Sequence, residues 1–132
     1  MISKDLKDRL LQRAREAQQN AYAPYSKFRV GAAILLHGGE IFTGCNVENA
    51  SYGLTNCAER SAIFAAVSQV GGDKVRVKAV AVVNDQDAPC SPCGACRQVI
   101  AEFGPDAVIW YQGRDGVQQS TIRELLPECF SL

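Results

Sequence analysis

Cys57-Ala58-Glu59-Arg60 and Pro92-Cys93-Gly94-Ala95-Cys96-Arg97 are the two stretches whose residue types and spacing could do chemistry. Together they offer three thiolates for a soft-to-borderline metal such as zinc, and one carboxylate that is a poor structural ligand in that company. Three protein ligands with a spare acid or base beside them is the layout of a catalytic zinc site, its fourth position left for water. A competing choice exists, because Cys90 extends the pair to Cys90-x-x-Cys93-x-x-Cys96. Four thiolates from Cys57, Cys90, Cys93 and Cys96 would make a closed structural site and leave Glu59 incidental. A redox dithiol at Cys93 and Cys96 would need neither Cys57 nor Glu59. Cys45 and Cys129 stand apart from other cysteines and read as packing thiols. His37, the single histidine, lies in a glycine-rich turn and reads as solvated.

The bulk composition bounds what can surround these groups. The chain has 132 residues, 47% hydrophobic and 21% charged, which suits one compact α/β domain spanning residues 1–132. Fourteen basic residues balance fourteen acidic ones, so a broad footprint for nucleic acid or an anionic membrane is not expected. No apolar run is long enough to span a bilayer, and Met1 to Glu16 mixes charges with leucines rather than forming a signal peptide. A reducing, cytoplasmic setting with free or metal-bound thiols is the expectation.

The elements that must position the site follow from apolar periodicity. Leu6, Leu10, Ala14, Ala17 and Ala21 form one stripe of a helix capped by Ser3 and ended before Pro24. The continuous apolar run Val30 to Leu36 predicts a strand covered on both faces, and His37-Gly38-Gly39-Glu40 a hairpin turn. The return strand is expected over Ile41 to Glu48, with Asn46 and Glu48 on one of its faces. A helix over Ala58 to Val70, a strand over Val75 to Val83, a helix over Gly94 to Phe103 and a strand over Ala107 to Tyr111 come next. A short strand, Val117 to Ser120, and a turn, Ile122 to Leu126, close the chain. The whole reads as a three-layer α-β-α sandwich around a mixed five-stranded sheet, with a parallel βαβ unit in its second half.

In open α/β sheets ligands gather beyond the carboxyl ends of strands, where helix N-termini point. Cys57 opens one helix, and Cys93 and Cys96 open another, so both helix ends can face one spot and favour thiolates there. Three thiolates overcompensate a zinc ion, and Arg60 or Arg97 hydrogen-bonding to sulfur would offset that. Asn46 and Glu48 fit either a solvated edge or a clamp for a ligand's hydroxyls.

Cys-Ala-Glu followed by Pro-Cys-Gly-Ala-Cys-Arg resembles the zinc deaminase signature in its three-cysteine variant. The chain more narrowly resembles the small homotetrameric cytidine deaminases. The matching stretches are Ala23-Pro24-Tyr25-Ser26-Lys27-Phe28-Arg29-Val30-Gly31-Ala32, Gly44-Cys45-Asn46-Val47-Glu48-Asn49-Ala50-Ser51-Tyr52-Gly53, the two zinc stretches and Glu124-Leu125-Leu126-Pro127.

The resemblance implies zinc held by Cys57, Cys93 and Cys96, and hydrolytic deamination of cytidine and 2'-deoxycytidine to uridine and 2'-deoxyuridine plus ammonia. Zinc-bound hydroxide would attack C4 while Glu59 shuttles protons. Asn46 and Glu48 would bind the ribose hydroxyls, Phe28 would line the nucleoside pocket, and the Ala58 backbone would contact the base. The resemblance further implies a homotetramer with sites at subunit interfaces, where Tyr25, Tyr52 and Phe130 would reach a neighbour's site and Phe130 would cover the base. Polynucleotide deamination would call for a basic, aromatic-lined channel that the neutral composition does not advertise. Deamination of a nucleoside antibiotic of the blasticidin S type, and a non-enzymatic zinc-stabilised domain, are the remaining alternatives.

Overall fold

The computed structural model describes residues 2–132, leaving Met1 outside the described residues. Ser3 caps the first helix, α1 (Lys4–Gln18), its hydroxyl accepting from the Leu6 amide at 3.2 Å. Strands β1 (Val30–Leu36) and β2 (Ile41–Cys45) form the expected hairpin, with Gly39 at φ 100° in its turn. Helix α2 (Ala58–Val70), strand β3 (Val77–Asn84), helix α3 (Gly94–Phe103), strands β4 (Val108–Gly113) and β5 (Gly116–Thr121) and a final turn of helix α4 (Ile122–Leu125) follow. Short 3-10 turns occupy Tyr52–Leu54 and Gly72–Lys74.

The sheet order is β2-β1-β3-β4-β5, antiparallel throughout except for the parallel β3–β4 pair, the βαβ unit around α3. Alternation along β1 and β3 divides the core in two. Ala32, Ile34, Leu36, Val80 and Val82 pack beneath α2 and α3, and Ala33, Leu35, Ala79, Ala81 and Val83 beneath α1. The fold is therefore the three-layer sandwich expected from periodicity.

Two glycines let helices lie directly on the sheet. A Cβ at Gly31 would stand 2.6 Å from the Gln18 amide nitrogen of α1, and one at Gly44 would stand 2.6 Å from the Ala58 carbonyl oxygen of α2. The second contact brings the start of α2 down onto β2.

Strand β2 ends three residues earlier than the apolar pattern suggests. The Asn46 amide still reaches Val30 O at 3.2 Å, but beyond it the chain leaves β1, and Val47 makes isolated bridges to Tyr22 and Asn56 instead. The polar residues Asn46 and Glu48 spend their hydrogen bonds on a neighbouring loop, which draws the segment off the sheet.

Candidate metal centre

β2 and β3 are both antiparallel to β1, so they run the same way and end on the same side of the sheet. From those ends the chain enters α2 and α3, and on the same side it enters β1 through Phe28. Cys57 is the N-cap of α2 and Cys93 the N-cap of α3. Neither side chain caps its own helix, so both sulfurs remain free to face the gap between the helix ends. Cys96, fully buried, lies in the first turn of α3.

The three sulfurs lie within 4.8 Å of one another, and Cys57 Sγ is 3.7 Å from Cys93 Sγ. Two sulfurs each 2.3 Å from a tetrahedral zinc would be about 3.8 Å apart, so the donor set and its spacing fit that ion. Cys90 is excluded from the cluster. Its amide is tied to the Gln112 carbonyl at 2.9 Å, and its half-buried side chain lines the neighbouring cavity, where burial raises the thiol's pKa. This geometry disfavours the closed four-thiolate arrangement. Cys45, half-buried, has a pKa raised by burial as well, in keeping with a packing thiol.

The sulfurs carry unequal protonation. Cys57 is lowered to about 5, first by the hydrogen bond from the Cys96 thiol and then by Arg60, whose Nη2 donates to Cys57 Sγ at 3.2 Å. Cys96 is pushed up by the same hydrogen bond and by burial. Cys57 is thus a thiolate at neutral pH, and Cys96 keeps a proton for a metal to displace. Arg97 does not share this task. Its Nε donates to Pro92 O at 2.7 Å, Nη1 to Leu125 O at 2.9 Å and Nη2 to Ser91 Oγ at 2.9 Å. The expectation that it reaches sulfur fails because all three nitrogens are spent bracing the loop before Cys93 against α4.

Glu59, in the first turn of α2, is 4% exposed. Burial raises its carboxyl to about 7, with the Cys57 thiolate adding to the shift. A carboxyl that titrates near neutrality beside a metal site is matched to accepting and returning protons.

A cavity of about 220 Å³ opens beside the cluster. Glu59, Cys57 and Cys93 line it together with Phe28, Asn46 and Glu48, so the loop before β1 and the segment after β2 supply its other wall. Asn46 is buried, and its amide donates to Phe28 O at 2.8 Å while accepting from Val30 N at 2.9 Å. Glu48 accepts from Tyr25 N at 2.9 Å and Ser26 N at 3.2 Å, and from the Ser26 hydroxyl in a close contact. Both polar residues thus belong to the cavity and hold its Phe28 wall.

The remaining candidates are placed less directly. Ala58 is fully buried and Tyr52, 78% exposed, lines an adjoining open cavity with Tyr25. The Tyr25 and Tyr52 rings meet edge-on, 6.3 Å between centroids. Phe130, 69% exposed in the C-terminal segment, lines neither cavity within one chain. Ser26, Thr55, Asn56, Val82 and Ser91 also line the main cavity and were not singled out by sequence. Serine and threonine side chains can close a local turn, as Ser26 does onto the Phe28 amide at 3.0 Å, but Thr55 and Ser91 carry the same sequence pattern, so no local signal set Ser26 apart.

Residues 4–112 match the family described as the cytidine and deoxycytidylate deaminase zinc-binding region. A cytidine deaminase of Sporosarcina psychrophila is 50% identical over 127 residues, covering 94% of this chain and 90% of that one. The crystal structure of cytidine deaminase from Burkholderia pseudomallei superposes with a TM-score of 0.84 at 42% identity, covering 98% of this chain and 100% of that one. A blasticidin-S deaminase of Bacillus cereus is 35% identical over 107 residues, covering 77% of this chain and 76% of that one. With three thiols at zinc spacing and a buried acid beside them, the chain is an enzyme that belongs to the cytidine and deoxycytidylate deaminase family.

Proposed function

We propose that this chain is a single-domain cytidine deaminase, converting cytidine and 2'-deoxycytidine to uridine and 2'-deoxyuridine with release of ammonia. The observation that carries the reading is the meeting of Glu59 with the three-sulfur cluster at one cavity, whose far wall holds Phe28, Asn46 and Glu48. Zinc held by Cys57, Cys93 and Cys96 would supply an acidified water as nucleophile.

The chain's own groups do the rest. Glu59, which titrates near neutrality, accepts in its ionised form a proton from the attacking water and delivers it to ring nitrogen N3 of the base, which makes C4 more electrophilic. The C4–O bond forms in that first step; Glu59 then carries the proton of the new C4 hydroxyl to the amino group, and the C4–N bond breaks with release of ammonia. Phe28 packs against the nucleoside, the Ala58 backbone at the start of α2 meets the base, and Asn46 and Glu48 take the ribose hydroxyls. Arg60 offsets the excess negative charge of three thiolates.

Charge selects the substrate class. Among the described residues, no lysine, arginine or histidine lines the main cavity or the adjoining one, and Glu48 lines both. A phosphate there would meet the Glu48 carboxylate with no cationic side chain in the lining to receive it, so a neutral nucleoside fits better than a nucleotide or a strand. The Asn46 and Glu48 pair favours a ribosylated base over an antibiotic nucleoside of the blasticidin S type. Exposed Tyr22, Tyr25, Tyr52, Leu54 and Phe64 support assembly into a homotetramer in which Tyr52 and Phe130 complete a neighbour's site. No helix among the described residues is long and apolar enough to cross a membrane, in keeping with a cytoplasmic salvage enzyme.

The test is loss of the cytidine chromophore with purified protein, with and without a zinc chelator and with Glu59→Gln alongside. Wild type turns over cytidine, the chelator abolishes this, and Glu59→Gln retains zinc while losing at least about a hundredfold in kcat. No absorbance loss with zinc-replete wild type would sink the reading.

A further inference from the structure

Glu48 does not hang free at the cavity wall. Its Oε1 accepts two backbone hydrogen bonds, from Tyr25 N at 2.9 Å and Ser26 N at 3.2 Å. Its Oε2 receives the Ser26 hydroxyl. The same hydroxyl oxygen accepts from Phe28 N at 3.0 Å. With that lone pair engaged by an amide, the single hydroxyl proton has one productive direction, toward Glu48.

The surrounding backbone is built to hold this arrangement. Lys27 takes a left-handed conformation, φ 59°, uncommon for a residue with a side chain. The Lys27 amide closes the turn onto Ala23 O at 3.1 Å, and Asn46 clasps Phe28 O and Val30 N from the other side. One serine hydroxyl thus links the carboxylate of Glu48 to the backbone of Phe28, two residues assigned to opposite tasks at the same cavity. Oε1 is saturated by two amides, whereas Oε2 has one partner and a lone pair left for a ligand hydroxyl. Ser26 and Glu48 both line the main cavity and the adjoining one.

We propose that Ser26 is a positioning residue for substrate recognition, its hydroxyl fixing Glu48 so that Oε2 is presented, ionised, to the sugar hydroxyls of the nucleoside. The inference deepens the nucleoside reading and rests on it. The Ser26 hydroxyl is the largest influence holding Glu48 below the usual carboxylate range, ahead of the backbone amides of Ser26 and Tyr25 and the field of Lys27. Lys27 is the charged neighbour on the loop, Tyr25 and Tyr52 face it across the adjoining cavity, and Glu59, Cys57, Cys90 and Cys93 line the main cavity with it.

Two measurements on the zinc-loaded enzyme decide the matter. In steady-state kinetics Ser26→Ala raises KM for cytidine about tenfold and leaves kcat within about twofold, because a charge-assisted hydrogen bond is lost far from the reacting carbon. The inhibition constant of 2',3'-dideoxycytidine, which lacks both hydroxyls, stays unchanged in that variant. Ser26→Thr keeps the hydroxyl and restores the wild-type values. An equal weakening toward both nucleosides, or no change toward cytidine, overturns the inference in favour of a purely structural loop residue. Independently of turnover, a carboxylate NMR titration of Glu48 shows a higher pKa in Ser26→Ala than in wild type or Ser26→Thr. Unchanged titration overturns the inference even if the protein fails to deaminate cytidine, whereas an inactive wild type with a shifted Glu48 would overturn only the assigned reaction.

Discussion

Arg60 Nη2 lies 3.2 Å from Cys57 Sγ, one helical turn further along α2, and its hydrogen bonds to Cys57 and Cys96 raise the guanidinium's own pKa. The pairing places a permanent positive charge against the Cys57 sulfur, whose pKa is lowered. Arg97, the other arginine next to a cysteine of the cluster, braces a loop instead.

Removing that charge leaves three thiolates to overcompensate a divalent ion. Arg60→Gln is expected to keep near-stoichiometric zinc and lose about ten- to a hundredfold in kcat, because the bound water becomes less acidic. Metal analysis beside kcat checks this; full activity in the variant would show that the helix ends alone offset the charge.

The three-sulfur cluster sets Cys57, Cys93 and Cys96 apart from Cys90. Cys93→Ser is expected to lose zinc, since it removes one of the three sulfurs lying within 4.8 Å of one another. Cys90→Ser is expected to retain one zinc per chain. Equal zinc loss in both variants would restore the closed four-thiolate site.

Gly44 carries the approach of α2 to the sheet. Gly44→Ala places a methyl 2.6 Å from Ala58 O and 2.9 Å from the Ser61 carbonyl carbon, both backbone atoms that cannot step aside singly. The substitution is expected to cost about 1–3 kcal/mol in stability and to displace Cys57 and Glu59 with the helix end. Thermal unfolding with zinc analysis measures both effects; wild-type values for both would mean that α2 shifts freely.

Metal-free protein has a characteristic pH response. Cys57 falls from 9.0 to about 5 on folding, so between those values the unfolded chain binds more protons and stability rises with pH. Glu59 rises from 4.5 to about 7, so across that window stability falls as pH rises. The two oppose each other from about pH 5 to 7; above 7 the Cys57 contribution prevails, until the raised thiols of Cys96, Cys90 and Cys45 oppose it as pH nears the unfolded value of 9.0. Melting temperatures of chelated protein should therefore climb from about pH 7 to 8 and level off toward 9, and Cys57→Ser should flatten the climb. A climb that persists in Cys57→Ser would assign the proton release elsewhere.

Much of the scaffold was legible from local pattern. Apolar spacing located α2 and α3 with their observed ends, Ala58–Val70 and Gly94–Phe103, because glycines and the N-terminal cysteines mark those boundaries. Alternation failed at the end of β2, where the return strand was expected to reach Glu48 and stops at Cys45. The failure has a cause outside the strand: Asn46 and Glu48 bond to residues of the Tyr25–Val30 segment, distant in sequence.

The sequence alone determined the donor chemistry, since three cysteines and one glutamate at these spacings restrict both the metal and the reaction. It left open whether Cys90 joins Cys57, Cys93 and Cys96, and whether Arg60 or Arg97 faces sulfur. The tertiary structure groups the sulfurs of Cys57, Cys93 and Cys96 without Cys90 and sets Arg60 against Cys57, because cluster membership depends on where two helix ends meet. It also turned Asn46 and Glu48 from a same-face pair into the clasp of the Phe28 loop and drew Ser26 into the site. Those hydrogen bonds join segments separated in the chain, and only packing of α2 and α3 on the sheet brings them to the Cys57–Glu59 stretch.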